Sequence, residues 1–292
     1  MQKGLSKMQL SDKYSFLTNY FTQAKNSDNY SVFQSILFYG SDLQAQYDLA
    51  LYLAKLLNCE KNFDEYCSCQ NCRWIDSHEH PAVITVSKAD YKPANDDSKT
   101  VISIKQAQMI KTSLTTTSDY HRVFIFCDKG NDGEVLGLNQ LNFQEETANA
   151  LLKTIEEPPK NTTFIFLTRD KNDVLQTIQS RCMAFFVPSF EVESYDYALI
   201  SDVFSDYFTF ERKNVFEVAG ELFELSKNST AMKVLENIQN YILCLIKNNN
   251  DNKQFVYKLI EDLKQIETAK KQVQLNINPQ NVFEDLCLKI IK

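Results

Sequence analysis

The sequence predicts an α/β domain built on a parallel sheet, followed by an all-helical C-terminal region. Three observations carry this. Thr163 to Thr168 is β-branched and aromatic without polar alternation, the pattern of a strand covered by helices on both faces. Just before it, Ala148, Leu151, Leu152 and Ile155 fall at i, i+3, i+4 and i+7, one face of a helix. After Val187 the chain keeps helical periodicity and offers no clear strand.

Taken in order, residues 1–30 are polar with scattered aromatics, and Tyr14 to Lys25 reads as an amphipathic helix packed on the first domain. Ser35 to Tyr39 is a buried strand. Gly40 then turns the chain into a helix from about Leu43 to Leu57, with Leu49, Leu53, Leu56 and Leu57 on one side. Strand, glycine turn, helix is the setting of a phosphate-binding loop. Such a loop needs a second glycine, a lysine for the β/γ oxygens and Ser/Thr for Mg²⁺. Those positions are Ala45, Gln46 and Tyr47 here. The segment is either a nucleotide site that has lost its charge and metal ligand or a plain βα turn. Both readings predict no ATP hydrolysis.

Cys59, Cys67, Cys69 and Cys72 follow within fourteen residues. Four thiolates complete a tetrahedral Zn²⁺ site with no open position, which makes such a site structural. The Cys67-x-Cys69 spacing is tight for simultaneous ligation, and unligated thiols are the alternative. His78 and His80 are read as structural. Ala82 to Val86 is a second strand, and residues 90–100 form a polar loop. Ser103 caps a helix carrying Ala107, Ile110 and Leu114. Arg122 to Asp128 is a third strand, and the glycines of Gly130 to Leu141 imply a flexible surface insertion.

Glu157-Pro158-Pro159 ends the helix that carries Leu151, because proline removes a donor and disfavours αR in the residue before it. Asp173 is the expected cap of a short helix with Val174, Leu175 and Ile178. Ser180-Arg181-Cys182 closes that helix ahead of a last strand, Met183 to Val187. Beyond it, Phe190 to Lys227 carries Phe204, Tyr207, Phe208, Phe216, Leu222, Phe223 and Leu225 at helical periodicity. Three more helices are expected: Thr230 to Lys247, Asn252 to Thr268 and Pro279 to Ile291, the last with Val282, Phe283, Leu286 and Ile290 as its buried stripe.

Composition narrows the function. The chain has 292 residues, 43% apolar and 24% charged, with a net charge of −7. That balance argues against a protein gripping nucleic acid through a generally basic surface, because such binding works by neutralising phosphates. No run of 18 apolar residues exists and the N-terminal segment has no apolar signal core, so a cytoplasmic protein without a membrane partner is expected. In that compartment thiols stay reduced, and the eight cysteines point to metal ligands or buried thiols.

TANALLKTIEEPP, the strand ending in Thr168 and the triplet Ser180-Arg181-Cys182 together resemble the clamp-loader AAA+ family of bacterial DNA polymerase III. The likeness is strongest over residues 31–188 and weaker over 189–292. It implies a P-loop-type AAA+ parallel five-stranded sheet over 1–188, with a zinc module inserted at Cys59 to Cys72, then an all-α lid domain over 189–227 and a collar domain over 228–292. In active relatives the third strand ends in paired acids for Mg²⁺ and water; here the first is Cys127, and only Asp128 remains. Thr168 matches the sensor position. The phosphate loop and the acid pair are thus both degenerate.

The resemblance therefore implies a non-hydrolysing, stator-type member of the loader. It would have no intrinsic catalysis or bound ATP, one structural zinc, and a place in a polymerase holoenzyme. Its partners would be the gamma/tau-type ATPase and delta-type subunits in a hetero-pentamer. The sliding clamp and primer-template DNA would be reached through the complex. Arg181 would serve as an arginine finger for a neighbour's ATP, with Ser180 and Cys182 supporting the turn. A surface ion pair is the competing reading for Arg181, and Lys153 is a candidate DNA contact. The last helix would bind sister subunits. The alternatives are an ATP-hydrolysing gamma/tau-type member, or a zinc-containing nucleic-acid-binding protein outside any loader.

Overall fold

The computed structural model describes residues 9–88, 101–130, 132–189, 215–249 and 252–291. The chain divides into two compact units, Met1–Ser189 and Phe190–Lys292.

The first unit is a three-layer α/β sandwich. Its sheet holds β1 (Ser35–Tyr39), β2 (Val83–Val86), β3 (Arg122–Phe126), β6 (Thr162–Thr168) and β7 (Met183–Phe186) in the order β2-β3-β6-β1-β7. Every neighbouring pair is parallel. The expected parallel five-stranded sheet is therefore present, with each strand within two residues of its predicted ends. All seven residues of β6 are buried, which explains why its sequence shows no alternation. Period two still sorts the side chains between faces. On one face Phe124 stacks on Phe164 at 5.5 Å and Phe126 on Phe166 at 4.8 Å. Leu37, Ile110, Ala148, Leu151 and Ile155 pack into the same cluster. On the other face Phe38 meets Phe21 edge-on at 6.2 Å.

The helices of this unit are α1 (Leu10–Lys13), α2 (Ser15–Asn26), α3 (Leu43–Asn58), α4 (Gln70–Asp76), α5 (Ile104–Ser113), α6 (Glu145–Glu156) and α7 (Gln176–Gln179). Ser103 caps α5 as expected, in a full capping box with Gln106. Of the predicted α6 stripe, Ala148, Leu151 and Ile155 are buried and Leu152 is half-buried.

Three expectations are corrected. Asp173 caps no helix: α7 starts after Leu175 without a side-chain cap, and Asp170 instead accepts the Asn172 N–H in the preceding 3₁₀ turn. The third strand ends at Phe126. Cys127 lies beyond it, and Asp128–Lys129 (β4) pairs antiparallel with Val135–Leu136 (β5). In the Gly130 to Leu141 stretch, expected as a flexible surface insertion, Val135–Leu136 is paired in this short ladder and Val135 and Leu138 are buried among the described residues, while Leu141 is exposed. Gly133 takes a positive φ of +86°, and Gly137 lies so close to Thr168 that an added Cβ would be 3.1 Å from its Cα.

The described part of the second unit is four helices: α8 (Val215–Asn228), α9 (Ala231–Asn248), α10 (Lys253–Gln274) and α11 (Pro279–Ile290). Helix α8 packs on α11 and α9, and α10 packs on α9 and α11. Val282, Phe283, Leu286 and Ile290 are the buried stripe of α11, as read from sequence. Helix α10 runs a turn and a half past its predicted end at Thr268. Phe204, Tyr207 and Phe208 lie outside the described residues, whereas Phe216 is 60% exposed and Leu222 is buried.

Candidate functional site

The turn after β1 is closed by its own side chains. Asp42 caps α3, and its carboxylate accepts the Ala45 N–H at 2.9 Å. A helix N-terminus attracts anions through free N–H groups and its dipole. Here a resident carboxylate already occupies that end, and its charge opposes a phosphate. Tyr14 reinforces the plug: its hydroxyl donates to Pro188 O at 3.0 Å and lies 3.5 Å from Asp42.

Gln46 stands in the lysine position and is fully buried. Its Nε2 donates to Gly40 O at 2.9 Å and to Thr168 O at 3.1 Å, while its Oε1 accepts the Thr168 N–H at 3.1 Å. Both amide hydrogens and one lone pair are therefore engaged in tying the loop to the end of β6. The Thr168 hydroxyl is likewise committed, to Leu138 O and Asp170 O at 2.9 Å each. Tyr47, in the Ser/Thr position, bonds Thr85 Oγ1 at 2.8 Å through its hydroxyl.

Gly40 has a steric role of its own. It sits at φ +143°, and a Cβ there would lie 2.1 Å from the Val187 carbonyl oxygen. Only glycine lets β7 approach this closely.

At the end of β3, Cys127 is buried and gives no acid. Asp128 is buried too, paired with Lys88 Nζ at 3.2 Å and accepting from Asn142 Nδ2 at 3.1 Å. The one remaining acid is thus neutralised inside the chain.

The structure brings the four cysteines together. The ligand atoms of Cys59, Cys67, Cys69 and Cys72 all lie within 4.8 Å of one another, with Cys59 Sγ 3.5 Å from Cys67 and 4.0 Å from Cys69. A tetrahedron with Zn–S of about 2.3 Å would place its sulfurs roughly 3.8 Å apart, so this donor set fits a metal ion. The tight Cys67-x-Cys69 step is accommodated because Cys69 starts α4 as its N-cap while Cys67 lies in the loop before it. Burial holds the Cys69 thiol up, yet the N–H groups of Cys72 and Glu60, together with the Cys72 and Cys67 thiols, bring it down to about 6. Cys72 moves the other way, its thiol pushed up by burial and by the neighbouring Cys69 and Cys59. The group contains neither His78 nor His80. His80 is buried, its Nδ1 accepting the Ala82 N–H at 3.2 Å, in keeping with a structural role.

The cysteine loop also reaches the N-terminal helices. Glu65 accepts the N–H groups of Leu10 and Ser11 at 2.9 and 3.0 Å, closing the start of α1. Sequence reading missed Glu65, Asp42, Tyr14 and Lys88. Asp42 had a legible signal, a cap residue three before Ala45. The other contacts join residues distant in sequence.

Arg181 follows α7 at the surface, with its side chain 30% exposed. Its Nε donates to Glu156 Oε2 at 2.9 Å and its Nη1 to Thr177 O at 2.9 Å. Ser180 Oγ lies 3.4 Å from Nη1 and itself donates to Thr177 O. Cys182 packs against the core, and burial pushes its thiol up to about 12, which disfavours the nucleophilic thiolate. Lys153 is exposed on α6. Among the described residues no helix is long and apolar enough to cross a membrane.

Comparison with known proteins gives a consistent picture. A family model described as DNA polymerase III, delta subunit, matches residues 16–191. The chain is 28% identical over 197 residues to DNA polymerase III subunit delta' of Bacillus subtilis, covering 66% of this chain and 53% of that protein. It is 29% identical over 164 residues to subunit tau of Escherichia coli, covering 56% and 23% respectively. Against subunit delta' of Haemophilus influenzae the identity is 27% over 143 residues, covering 48% and 38%. The chain thus spans about half or less of the length of these curated relatives.

Proposed function

We infer the role of this chain from one premise: it belongs to the DNA polymerase III delta-subunit family. The role is that of a delta-prime-type stator, a clamp-loader subunit that hydrolyses no ATP itself and helps to load the sliding clamp onto primed DNA. Its partners on this reading are gamma/tau-type ATPase subunits and a delta-type subunit in a hetero-pentamer. Clamp and primer-template DNA are reached through that complex, in the cytoplasm.

The observation that carries the reading is Gln46. The residue in the lysine position is bonded to Gly40 and Thr168, with the Asp42 carboxylate on the helix end where a phosphate would lie. A motor subunit needs a free lysine, a hydroxyl ligand and an acid pair there. The chain offers Gln46, a tyrosine bonded to Thr85, and an aspartate paired with Lys88. These contacts favour the stator over the gamma/tau-type motor.

The second half of the proposal concerns Arg181. An arginine supplied in trans neutralises charge on a transferring phosphoryl group and is worth roughly 10³–10⁵ in rate in other nucleotide hydrolases. Arg181 is accessible at the end of α7, on a turn held by Ser180 and Cys182. The cysteine cluster holds one structural zinc ion through Cys59, Cys67, Cys69 and Cys72. On this reading the lid spans 189–227 and so takes in nearly all of α8, and the collar spans 228–292 with α9 to α11. Leu288, 55% exposed on α11, belongs to the face offered to sister subunits.

The test combines two measurements. Calorimetry on the isolated chain is expected to give no tight Mg-ATP binding; tight binding would return the chain to the motor class. In the reconstituted loader, Arg181→Ala is expected to leave assembly intact by gel filtration and to lower clamp- and DNA-stimulated hydrolysis at least tenfold. Unchanged hydrolysis in an intact complex would leave Arg181 structural.

A further inference from the structure

Glu156 stands where a helix least favours a carboxylate. It is the last residue of α6, at the end that carries the negative pole of the dipole. Its partner lies 25 residues away in sequence, the guanidinium of Arg181. That guanidinium is fixed on two sides. Nε is held by the Glu156 carboxylate and Nη1 by Thr177 O, while Nη2 has no partner among the described residues. A planar fork bonded at two of its three nitrogens keeps one orientation. A guanidinium bonded only through Nη1 can swing about that contact.

We propose that Glu156 is the positioning residue of Arg181, holding the guanidinium so that Nη2 is the edge presented to the phosphate of a neighbouring subunit's nucleotide. This rests on the trans-arginine reading of Arg181 and deepens it. The alternative role for such a pair is to staple α7 to α6. An exposed ion pair contributes little to folding, because the charges are already solvated and two side chains lose freedom. Glu156 is 57% exposed, so removing it is expected to leave stability nearly unchanged and to act on orientation. Orientation matters to rate because a group held in its reactive geometry does not have to be ordered during the step.

The experiment uses the reconstituted loader with Mg-ATP, clamp and primed DNA. It compares Glu156→Ala, Glu156→Gln, Arg181→Ala and the double variant Glu156→Ala/Arg181→Ala. Glu156→Ala is expected to lower kcat roughly three- to tenfold with KM for Mg-ATP unchanged, since orientation acts in the transition state. Glu156→Gln is expected to keep at least half of the rate, because its amide oxygen still accepts from Nε. On the Arg181→Ala background, Glu156→Ala is expected to change nothing further.

A wild-type kcat for Glu156→Ala would overturn the proposal. So would a double variant slower than Arg181→Ala alone, since Glu156 would then act on something other than the arginine. If Glu156→Ala fails to assemble, Glu156→Gln decides: a fall below half the rate in an intact complex overturns the proposal. Failure of the underlying reading is seen separately, as unchanged hydrolysis with Arg181→Ala.

Discussion

Three residues show how single side chains set the character of the first unit. Gln46 is buried with three bonds to Gly40 and Thr168. Gln46→Leu keeps its volume and strands those groups, so a loss of about 2–3 kcal/mol is expected, since buried unpaired groups carry their full desolvation penalty. A urea titration reads the loss, and hydrogen exchange at the Thr168 amide locates it. Gly40→Ala meets the Val187 carbonyl at 2.1 Å with φ already positive, and is expected to cost about 3 kcal/mol or more, read in the same titration. His121 is held down to about 4, first by burial and then by the nearby Lys25 ammonium. Its unfolded value is about 6.5, so between those limits the unfolded chain binds a proton that the folded chain does not. Stability from this residue is therefore complete above about pH 6.5 and lost as pH falls towards 4, by about 3 kcal/mol in all. Urea midpoints measured across that range check it: His121→Gln should flatten the slope, and an unchanged slope would sink the assignment.

Among the elements, the loop from Cys59 to Cys72 has little apolar content to order it. Tyr66 is 72% exposed, and the buried groups are mainly Cys69, Cys72 and the side of α4 that faces α3. A bound metal ion would supply the missing constraint, as closed four-ligand sites do elsewhere. Purified chain should carry one zinc per molecule by elemental analysis. Cys69→Ser should lose that metal and lower Tm by about 5 °C or more. Retained stoichiometric zinc in Cys69→Ser would exclude Cys69 as a ligand. Because Glu65 closes the start of α1 from the same loop, proteolysis near Leu10 should accelerate together with the loss of metal. The hairpin β4–β5 teaches a different lesson. Its glycines read as flexibility in one dimension, yet Val135 and Leu138 bury and Gly137 approaches Thr168 too closely for a side chain to be added freely.

For the whole molecule, the acidic balance and the absence of a basic stripe in the sequence predict weak contact with DNA outside the complex. The isolated chain should give no salt-sensitive gel shift with primed duplex at 0.15 M salt. A shift whose affinity falls steeply with salt would favour the nucleic-acid-binding alternative, because such a slope counts released counterions. The chain splits into two compact units, and in the proposed function subunit association falls to the second. Leu288→Asp is expected to leave the isolated chain folded and to weaken its association with partner subunits, read by gel filtration of the mixed loader.

The sequence by itself determined the α/β class, the five strands within two residues of their ends, the buried stripes of α6 and α11, and the four-cysteine set. These follow from local physics: apolar period, proline and cap chemistry, and the small menu of residues that ligate metal. It also exposed the loss of lysine, hydroxyl and first acid at Gln46, Tyr47 and Cys127. What replaced them was decided only in three dimensions. The bonds of Gln46 to Thr168, of Asp128 to Lys88 and of Arg181 to Glu156 join residues 122, 40 and 25 positions apart. No periodicity records which partners meet across such separations, because the sheet order β2-β3-β6-β1-β7 brings them together only after the strands have paired.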